Sequence, residues 1–250
     1  PHIHTEHNTH NRRREKWYLY PIEILAYSSL KNIICISEAT RYELLSYMPY
    51  LNFDKIKVIT NGTRLLKYKK RNFLEKKKFN LIYIGSLTYK KGLDLFLESL
   101  PSVRDKINNV KIIGSGPEKE NLISIKKKLS LDNLVDFVEY TEKIEDFIYE
   151  ADIGILPSRW EGFGLAAAEM LSSGLPVMIS DTSGLGDIFS QYNGVVTFKN
   201  GSLNSLKISL NKIIDELKEN KLVVNDINNE LKEYDENNFI SRYDQFYKEL

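Results

Sequence analysis

Cysteine and long apolar runs are scarce in this 250-residue sequence, and each scarcity excludes a class of protein. Cys35 is the single cysteine, so no internal disulfide can form and a reducing compartment is expected. Its neighbours Ile33, Ile34 and Ile36 predict a small core residue rather than a nucleophile. No apolar run approaches the ~18–20 residues of a membrane span, and no signal peptide is recognisable. A cytoplasmic protein is therefore expected.

Charge is nearly balanced overall but is unevenly spread along the chain. The formal net charge is +1, yet residues 1–78 hold 16 Lys+Arg against 7 Asp+Glu. This part therefore carries a net charge of +9, and the remaining 172 residues carry −8. The asymmetry indicates contact with an anionic partner, such as the inner face of a cell membrane or a phosphorylated substrate. The alternative is that Arg12–Arg14 and Lys76–Lys78 are simply solvated.

All four histidines, His2, His4, His7 and His10, lie near the start of the chain. A His-rich tract can bind metal. No cysteine accompanies these histidines, and Glu6 is their only acidic neighbour. A loop in a substrate cleft is therefore the favoured interpretation, and no metal is expected.

From residue 79 onwards, short apolar runs alternate with helical patterns, and Gly-bearing loops follow several of the runs. Strands separated by helices imply a parallel sheet, because each return to the same edge needs a crossover. Runs that are apolar on both faces indicate helices on both sides. The expected strands are 79–84, 110–113, 134–138, 153–157, 177–180 and 194–198. The expected helices are 93–100, one from Pro117, 144–151, 164–173, 203–219 and 237–250.

Upstream of residue 79 the pattern is less regular. Helical spacing is expected over 17–30, a strand over 32–36, a helix from Ser37 to near Pro49 and a strand over 55–60. The predicted organisation has four parts. They are a partial N-terminal domain (1–62), a linker (63–78), a domain of regular β–α alternation (79–236) and a C-terminal helix (237–250) that packs back on the N-terminal domain.

The stretch 158–169 carries the strongest chemical signal. It joins the apolar run 153–157 to an Ala-rich helix through a turn that contains Gly162 and Gly164, with Glu161 and Glu169 on either side. Helix starts attract anions, because their first N–H groups are unpaired and the helix dipole is positive there. Ligands of parallel sheets sit at the carboxyl ends of strands. The loops at 85–86, 114–116, 161–164 and 183–186 are expected to meet there.

The order of these pieces resembles a known family. Five of them resemble the C-terminal domain of the retaining glycosyltransferases of family 4. These five are Ile84–Leu87 with Lys90–Gly92, Ile113–Pro117, Ala151–Ile153, Pro157-Ser158, and Glu161–Gly164 with Glu169. Thr5–Asn8, Ile36–Arg41 and Ile59–Gly62 resemble the second half of that family's N-terminal domain. The resemblance implies an α/β protein of the GT-B type. A complete Rossmann-like, doubly wound C-terminal domain is expected beside a partial N-terminal Rossmann-like domain.

The resemblance implies roles for the residues that match the family's motifs. Glu161 would contact the hydroxyls of the donor sugar, and Glu169 would accept hydrogen bonds from the ribose. The backbone amides of Phe163, Gly164 and Leu165 would meet the sugar and the diphosphate. An ionised carboxylate suits such a role, because it can accept from two hydroxyls. The alternatives are a solvated loop acid for Glu161 and a helix-surface charge for Glu169.

Cations and a histidine complete the implied site. Lys91 would bind the diphosphate, with Lys90 as the substitute if the loop is shifted by one residue. His7 would lie near the reacting sugar. The loops with Gly85, Ser86 and Gly116 would also hold the donor.

The chain departs from the family's pattern at two positions. Ser86 stands where the family commonly has arginine, so Arg159 or Lys90 would have to supply the missing phosphate cation. Asp187 stands where the family often has glutamate. Arg12, Arg13 or Arg14 could steer an anionic acceptor, and nothing in the sequence selects one of them.

The implied reaction moves a sugar from a nucleotide-diphosphate sugar, expected to be UDP-linked, to a saccharide or lipid-linked acceptor. Retention of the anomeric configuration and independence of metal are implied, in the synthesis of a surface polysaccharide or glycolipid. The N-terminal βα unit of the family is not found, and Pro1 opens the sequence, so upstream sequence is expected. The alternative is a truncated remnant or subunit that binds nucleotide sugar without turnover. A nucleotide-sugar epimerase is disfavoured by the 161–169 motif.

Overall fold

The computed structural model describes residues 2–7, 9, 14 and 16–250, which form two parallel sheets. The expected residues Asn8, His10, Arg12 and Arg13 lie outside that description. The first sheet has the order β1-β2-β3, and a helix follows each of its first two strands. Its elements are β1 (Ile3–Glu6), α1 (Tyr20–Ser28), β2 (Asn32–Cys35), α2 (Glu38–Tyr47) and β3 (Ile56–Val58).

The second sheet has six parallel strands in the order β6-β5-β4-β7-β8-β9, which confirms the expected doubly wound sheet. The strand order reverses between β4 and β7, so a ligand is expected at the carboxyl ends of these two strands. Its strands are β4 (Phe79–Ile84), β5 (Ile107–Ile113), β6 (Val135–Val138), β7 (Ile153–Leu156), β8 (Val177–Ser180) and β9 (Val195–Phe198). The helices are α3 (Leu93–Ser99), α4 (Lys119–Lys128), α5 (Ile144–Glu150), α6 (Leu165–Ser172), α7 (Gly186–Phe189), α8 (Leu203–Lys218) and α9 (Glu236–Lys248).

One large apolar core holds the six-stranded sheet together. Strands β7 and β8 are buried along their whole length, because their apolar side chains face helices on both sides. α3 and α8 pack against each other, and α6 contacts β7 and β8. Among the residues that the structure describes, no helix combines the length and apolarity that a bilayer crossing requires.

In the three-stranded sheet, successive apolar residues of β2 face opposite sides of the sheet. Ile33 and Cys35 face α2, whereas Ile34 faces α9 and packs with Phe246. Cys35 is fully buried, as expected for a core residue. Burial, together with the nearby charge of Glu6, raises the pKa of its thiol to about 12. α9 therefore covers one face of this sheet, although it comes from the other end of the chain.

Residues 63–78 contain neither a helix nor a regular strand, but they are packed along the six-stranded domain. Leu66 and Phe73 are buried in its core. The Arg71 guanidinium donates to the carbonyl oxygens of Ile148 (2.9 Å) and Ala151 at the end of α5. A cation there satisfies carbonyls that a helix leaves unpaired.

The chain passes between the two sheets twice, and the two passes pair with each other. Thr63 and Asp235 form a parallel bridge. The Thr63 amide donates to the carbonyl of Tyr234 (2.8 Å), and the Glu236 amide donates to the carbonyl of Thr63 (3.0 Å). We call these two paired segments, at Thr63 and at residues 234–236, the double crossover.

Two expectations about local structure were wrong. The first residues contain β1, not only a loop. Strand pairing with β2 outweighs their polar composition, because β1 has a single apolar residue, Ile3. The helix expected from Pro117 begins at Lys119. The Glu118 amide donates to the carbonyl of Leu87 (3.0 Å), which holds residues 117 and 118 in a turn before the helix.

Candidate active site

A cavity of about 470 Å³ opens at the carboxyl ends of β4 and β7, where the strand order reverses. Residues from both sheets line it. The residues assigned above to catalysis and donor binding lie on its wall, except Ser86 and Gly116. The lining residues are His7, Ile36, Asn61, Ile84, Gly85, Lys90, Lys91, Tyr140, Ile144, Leu156, Glu161, Gly162, Phe163, Gly164, Leu165, Ala166 and Glu169.

The side chain of Phe163 packs into the core and holds the turn before α6 in place. Its ring is only 2% exposed and packs on Tyr234 and Phe189, with ring centroids 5.0 and 5.8 Å away. The backbone of Phe163, Gly164 and Leu165 therefore faces the cavity while the ring faces the core. Within the described part of the chain, no carbonyl accepts a hydrogen bond from these three amides. Together with the positive end of α6, they form a surface suited to an anion.

Gly162 lies where the two sheets meet. A Cβ at this position would lie 2.3 Å from the carbonyl oxygen of His7. The hydroxyl of Thr9 donates to the carbonyl of Glu161 at 3.3 Å. Any side chain at residue 162 would therefore push the His7 segment away from the turn.

Lys91 and Glu161, for which the family resemblance implies separate roles, form an ion pair at the cavity wall. The two side chains are only 17% and 14% exposed. The hydroxyl of Ser158 also donates to Glu161 Oε2, at 3.1 Å. Both donors converge on the same carboxylate oxygen, so the Glu161 side chain is held in place.

Backbone contacts hold the loop after β4 that carries Lys90 and Lys91. Gly92 has φ 66°, and a Cβ there would lie 2.0 Å from the carbonyl oxygen of Pro157. The carbonyl of Lys90 accepts a hydrogen bond from the amide of Arg159 at 2.7 Å. These contacts join the β4 loop to the β7 loop and set where Lys90 and Lys91 project.

Arg159, one of the two residues suggested for the missing phosphate cation, is paired with Asp94 outside the cavity lining. Its guanidinium forms a bidentate pair with Asp94 (2.8 and 2.7 Å) and stacks 4.0 Å from the Tyr89 ring centroid. Burial alone would raise the pKa of Asp94, but the hydrogen bonds and charge of Arg159 hold it below its ordinary value. The arginine lies outside the cavity lining, and Lys90 lies within it.

Glu169 projects from α6 into the cavity and is bonded to a residue that the sequence did not indicate. The Thr63 hydroxyl donates to Glu169 Oε1. Burial raises the pKa of Glu169, and the hydrogen bond from Thr63 opposes part of that rise. Thr63 belongs to the double crossover, so this carboxylate is linked to the connection between the sheets.

Ser86 and Gly116 support the site rather than line it. Ser86 is exposed, and its carbonyl accepts from the buried Tyr83 hydroxyl at 2.9 Å. The amide of Leu87 donates to the carbonyl of Ser115 (2.8 Å), and the Gly116 carbonyl accepts from Lys119. The β4 and β5 loops therefore stack on each other, and the donor contacts expected of Ser86 and Gly116 stay predictions.

The described residues also line two further openings. A groove of about 470 Å³ between α2 and residues 183–187 is lined by Tyr42, Phe53 and Asp187, among others. A smaller cavity of about 210 Å³ opens at the other end of the six-stranded sheet beside Lys111 and Glu150, and none of the expected residues lines it.

Sequence reasoning missed four residues of the site: Asn61, Thr63, Tyr140 and Ile144. Asn61 belongs to the stretch Ile59–Gly62 that resembles the family's N-terminal domain, but no role was assigned to it, and Thr63 was placed in the linker. Tyr140 and Ile144 follow β6, an expected strand whose following loop contains no glycine. Their position could have indicated the site, because the carboxyl ends of parallel strands lie together and every loop that follows such a strand is a candidate for the cavity wall.

The geometry can now be compared with known proteins. A family model described as glycosyl transferases group 1 matches residues 66–233. The O-antigen biosynthesis glycosyltransferase WclY of Escherichia coli is 33% identical over 187 residues, covering 71% of this chain and 50% of that protein. An uncharacterised glycosyltransferase of Methanocaldococcus jannaschii is 24% identical over 223 residues, covering 83% of this chain and 57% of its own length.

A solved structure shows the same fold over the whole chain. The Anabaena protein HepE, in complex with UDP and glucose, superposes with a TM-score of 0.84 at 17% identity. The match covers 100% of this chain and 72% of that protein. This agreement confirms the expected GT-B type of α/β fold. The chain spans about half the length of the curated relatives described above.

Proposed function

The chain belongs to the group 1 glycosyl transferases, and from this we propose that it transfers a sugar from a UDP-linked donor to a saccharide or lipid-linked acceptor. We propose further that the anomeric configuration is retained, as in the family 4 enzymes, and that the product belongs to a surface polysaccharide or glycolipid. One observation carries the proposal: a single cavity gathers two lysines, free helix-start amides and two carboxylates. The similarity to an O-antigen glycosyltransferase and to a UDP complex supports the donor and product classes.

The diphosphate binds to Lys91, Lys90 and the amides of residues 163–165. An anion that reaches Lys91 competes with Glu161 for the ammonium group. Glu161 is thereby released to accept hydrogen bonds from the donor sugar, and Ser158 still orients it at 3.1 Å. Positive charge placed where the leaving group gains negative charge lowers the barrier, commonly by a large amount.

Glu169 accepts the ribose hydroxyls, and the Tyr140 ring with Ile144 supplies an apolar wall for the base. His7 approaches from the other sheet and contacts the transferred sugar. The two carboxylates have different proposed roles, and neither is assigned as a nucleophile with a paired acid, as a double displacement would need. We therefore propose front-face attack, with the leaving diphosphate taking the acceptor proton. The donor set of lysines and amides can balance the diphosphate charge, so no metal is proposed.

Calorimetry with UDP, GDP and their sugars, followed by a transfer assay with saccharide and lipid-linked acceptors, tests the proposal. We expect binding of a UDP-sugar, and transfer that Glu161→Ala reduces. Unchanged transfer in Glu161→Ala would refute the site assignment. Tight binding without transfer to any acceptor would instead support the alternative of a nucleotide-sugar-binding subunit.

A further inference from the structure

Glu6, the last residue of β1, is a buried carboxylate that the proposed mechanism does not use. Its side chain is only 6% exposed, and three groups approach its Oε1 atom. The Tyr27 hydroxyl donates to this atom, the Arg14 Nη2 atom lies 3.2 Å from it, and His4 Nε2 lies 3.3 Å from it. A carboxylate that is taken out of water needs such partners, because an unpaired buried charge is costly. Glu6 therefore joins β1 to α1 and to the segment that precedes α1.

Arg14 is held from a second side by α2. Its side chain is 11% exposed, and the guanidinium carbon lies 5.2 Å from the centroid of the Tyr47 ring. A guanidinium over an aromatic face gains a cation–π attraction. Because Glu6 and Arg14 both contact elements of the three-stranded sheet, their pairing fixes the two ends of the segment that joins them in the chain.

The segment that follows Glu6 meets the turn before α6. The carbonyl oxygen of His7 occupies the space that a Cβ at Gly162 would need. The Thr9 hydroxyl donates to the carbonyl of Glu161 at 3.3 Å. His7 lines the cavity and Glu6 does not, so Glu6 acts on a bound donor through other residues.

We propose that Glu6 is a positioning residue: its pairing with Arg14 fixes the ends of this segment and sets where the His7 imidazole lies in the cavity. The inference rests on the proposed function, because the contact of His7 with the transferred sugar is proposed there. A group that contacts the reacting sugar must be held within about 0.5 Å of its productive position, and supporting contacts of this kind hold it there. A gain in stability explains the pair less well, because a buried ion pair is commonly no more stabilising than apolar side chains of the same volume.

Two substitutions disturb the pair in different ways. Glu6→Gln keeps the shape of the side chain and removes its charge, whereas Arg14→Lys keeps the charge and removes the planar fork. Each should lower kcat by about threefold to tenfold, and by no more than His7→Ala, which removes one hydrogen bond to the sugar. UDP affinity in calorimetry should be unchanged, because the groups proposed to bind UDP belong to the six-stranded side. Arg14→Lys carries the test if Glu6→Gln does not fold, since it leaves no unpaired buried charge.

A double-mutant cycle with His7→Ala separates positioning from folding. If Glu6 acts through His7, Glu6→Gln should lower kcat in the parent but not in the His7→Ala chain. Asp152→Asn is the matched control, because the Asp152 side chain is also buried, at 8% exposure, and pairs with Lys76 at 2.6 Å. Asp152 precedes β7, at the end of that strand away from the cavity. Asp152→Asn should lower the melting temperature and leave kcat unchanged in both chains.

The histidine ring signals in an NMR spectrum report the placement of His7 without any substrate. His7→Ala identifies which signals belong to this ring. Arg14→Lys should shift or broaden them, although Arg14 is seven positions away in the chain. Asp152→Asn should leave them in place.

Unchanged His7 signals in Arg14→Lys overturn the inference, and so does a loss of kcat in Glu6→Gln that is equal with and without His7. The proposed function survives either result, because neither concerns the donor groups of the six-stranded side. Unchanged transfer in His7→Ala removes the role proposed for His7 and the inference with it. Absence of transfer in the parent refutes the proposed reaction instead, and the His7 signals still show whether the pair positions the ring.

Discussion

The six-stranded sheet is covered by helices from its own crossovers, whereas the three-stranded sheet depends on α9 for one face. The six-stranded sheet has one continuous core, and the three-stranded sheet has two small clusters on opposite sides of β2. The same difference appears in the cavity. The six-stranded side supplies the charged groups and the helix start, and the three-stranded side supplies His7 and Asn61. The larger half thus carries most of the charged groups, and the smaller half completes the cavity.

The largest effect expected from this comparison is on catalysis. Lys91→Ala should lower the transfer rate by about 10²–10³-fold, because a preorganised charge at the leaving group is lost. His7→Ala, on the other side of the cavity, should cost only about tenfold, the value of one hydrogen bond to a charged or polar partner. Lys119→Ala, which removes an exposed ion pair with Glu139, is the control. Steady-state rates on a common donor measure all three. A larger loss for His7→Ala than for Lys91→Ala would reverse the division of roles.

A second prediction concerns how tightly the β4 and β7 loops are packed. Gly92→Ala should destabilise the chain by about 3 kcal/mol, since the new Cβ would meet a backbone carbonyl and the φ is left-handed. Gly201 is a matched control, with φ 71° against 66° for Gly92 and no atom within 4 Å of an added Cβ. Gly201→Ala should therefore cost only about 1 kcal/mol. Thermal or denaturant unfolding gives both values, and equal losses would show that the contact with Pro157 relaxes freely.

A third prediction separates the two cores. Phe246→Ala should remove about 3 kcal/mol from the packing of α9 on the small cluster with Ile34 and Ile59. We expect faster amide exchange in β1–β3 and little change in the six-stranded sheet. Phe96→Ala, in the large core, should instead accelerate exchange across the six-stranded sheet. If Phe246→Ala accelerates amide exchange equally in both sheets, the sheets form one cooperative unit and their cores are not independent.

The smallest expected effect tests the link between Thr63 and Glu169. Glu169 must be ionised to accept ribose hydroxyls, and burial raises its pKa, so UDP binding should weaken as pH falls and should do so above the usual range of glutamate. Thr63→Val removes the hydrogen bond that lowers this pKa. The pH at which binding is lost should therefore move upward, with about 1 kcal/mol lost near that pH.

Thr63→Ser, which keeps the hydroxyl, should retain the parent profile of UDP binding against pH. Calorimetry at several pH values gives these curves, and 2′-deoxy-UDP should show a smaller difference between Thr63→Val and the parent. An unchanged profile in Thr63→Val would mean that the hydrogen bond is structural only.

The sequence was most informative where a local rule and the final packing agree. The strand at β8 and the Ser37 N-cap of α2 were predicted at the correct residues, because an apolar run and a capping hydroxyl act locally. The position of the turn before α6 was also predictable, because strand, glycine and helix follow one another in the chain. The residues assigned from the family motif converge on one cavity, although the roles given to them stay predictions.

Other features depend on contacts that no local pattern contains. β1 is a strand because β2 lies beside it, and its own composition is mostly polar. The pairing of Arg159 with Asp94 joins residues 65 positions apart, so the arginine looked available in the sequence. The bond from Thr63 to Glu169 spans 106 positions and joins a supposed linker to the site.

The double crossover has a mechanical consequence. Two segments that are hydrogen-bonded side by side resist twisting and sliding more than a single segment does, but both can bend together. Bending of the two segments together is therefore expected to be the easiest relative motion of the two sheets, and it would change the gap between His7 and Glu161. Because Thr63 is part of this joint and also bonds to Glu169, a ligand that displaces its hydroxyl would alter the stiffness of the joint at the moment it is bound.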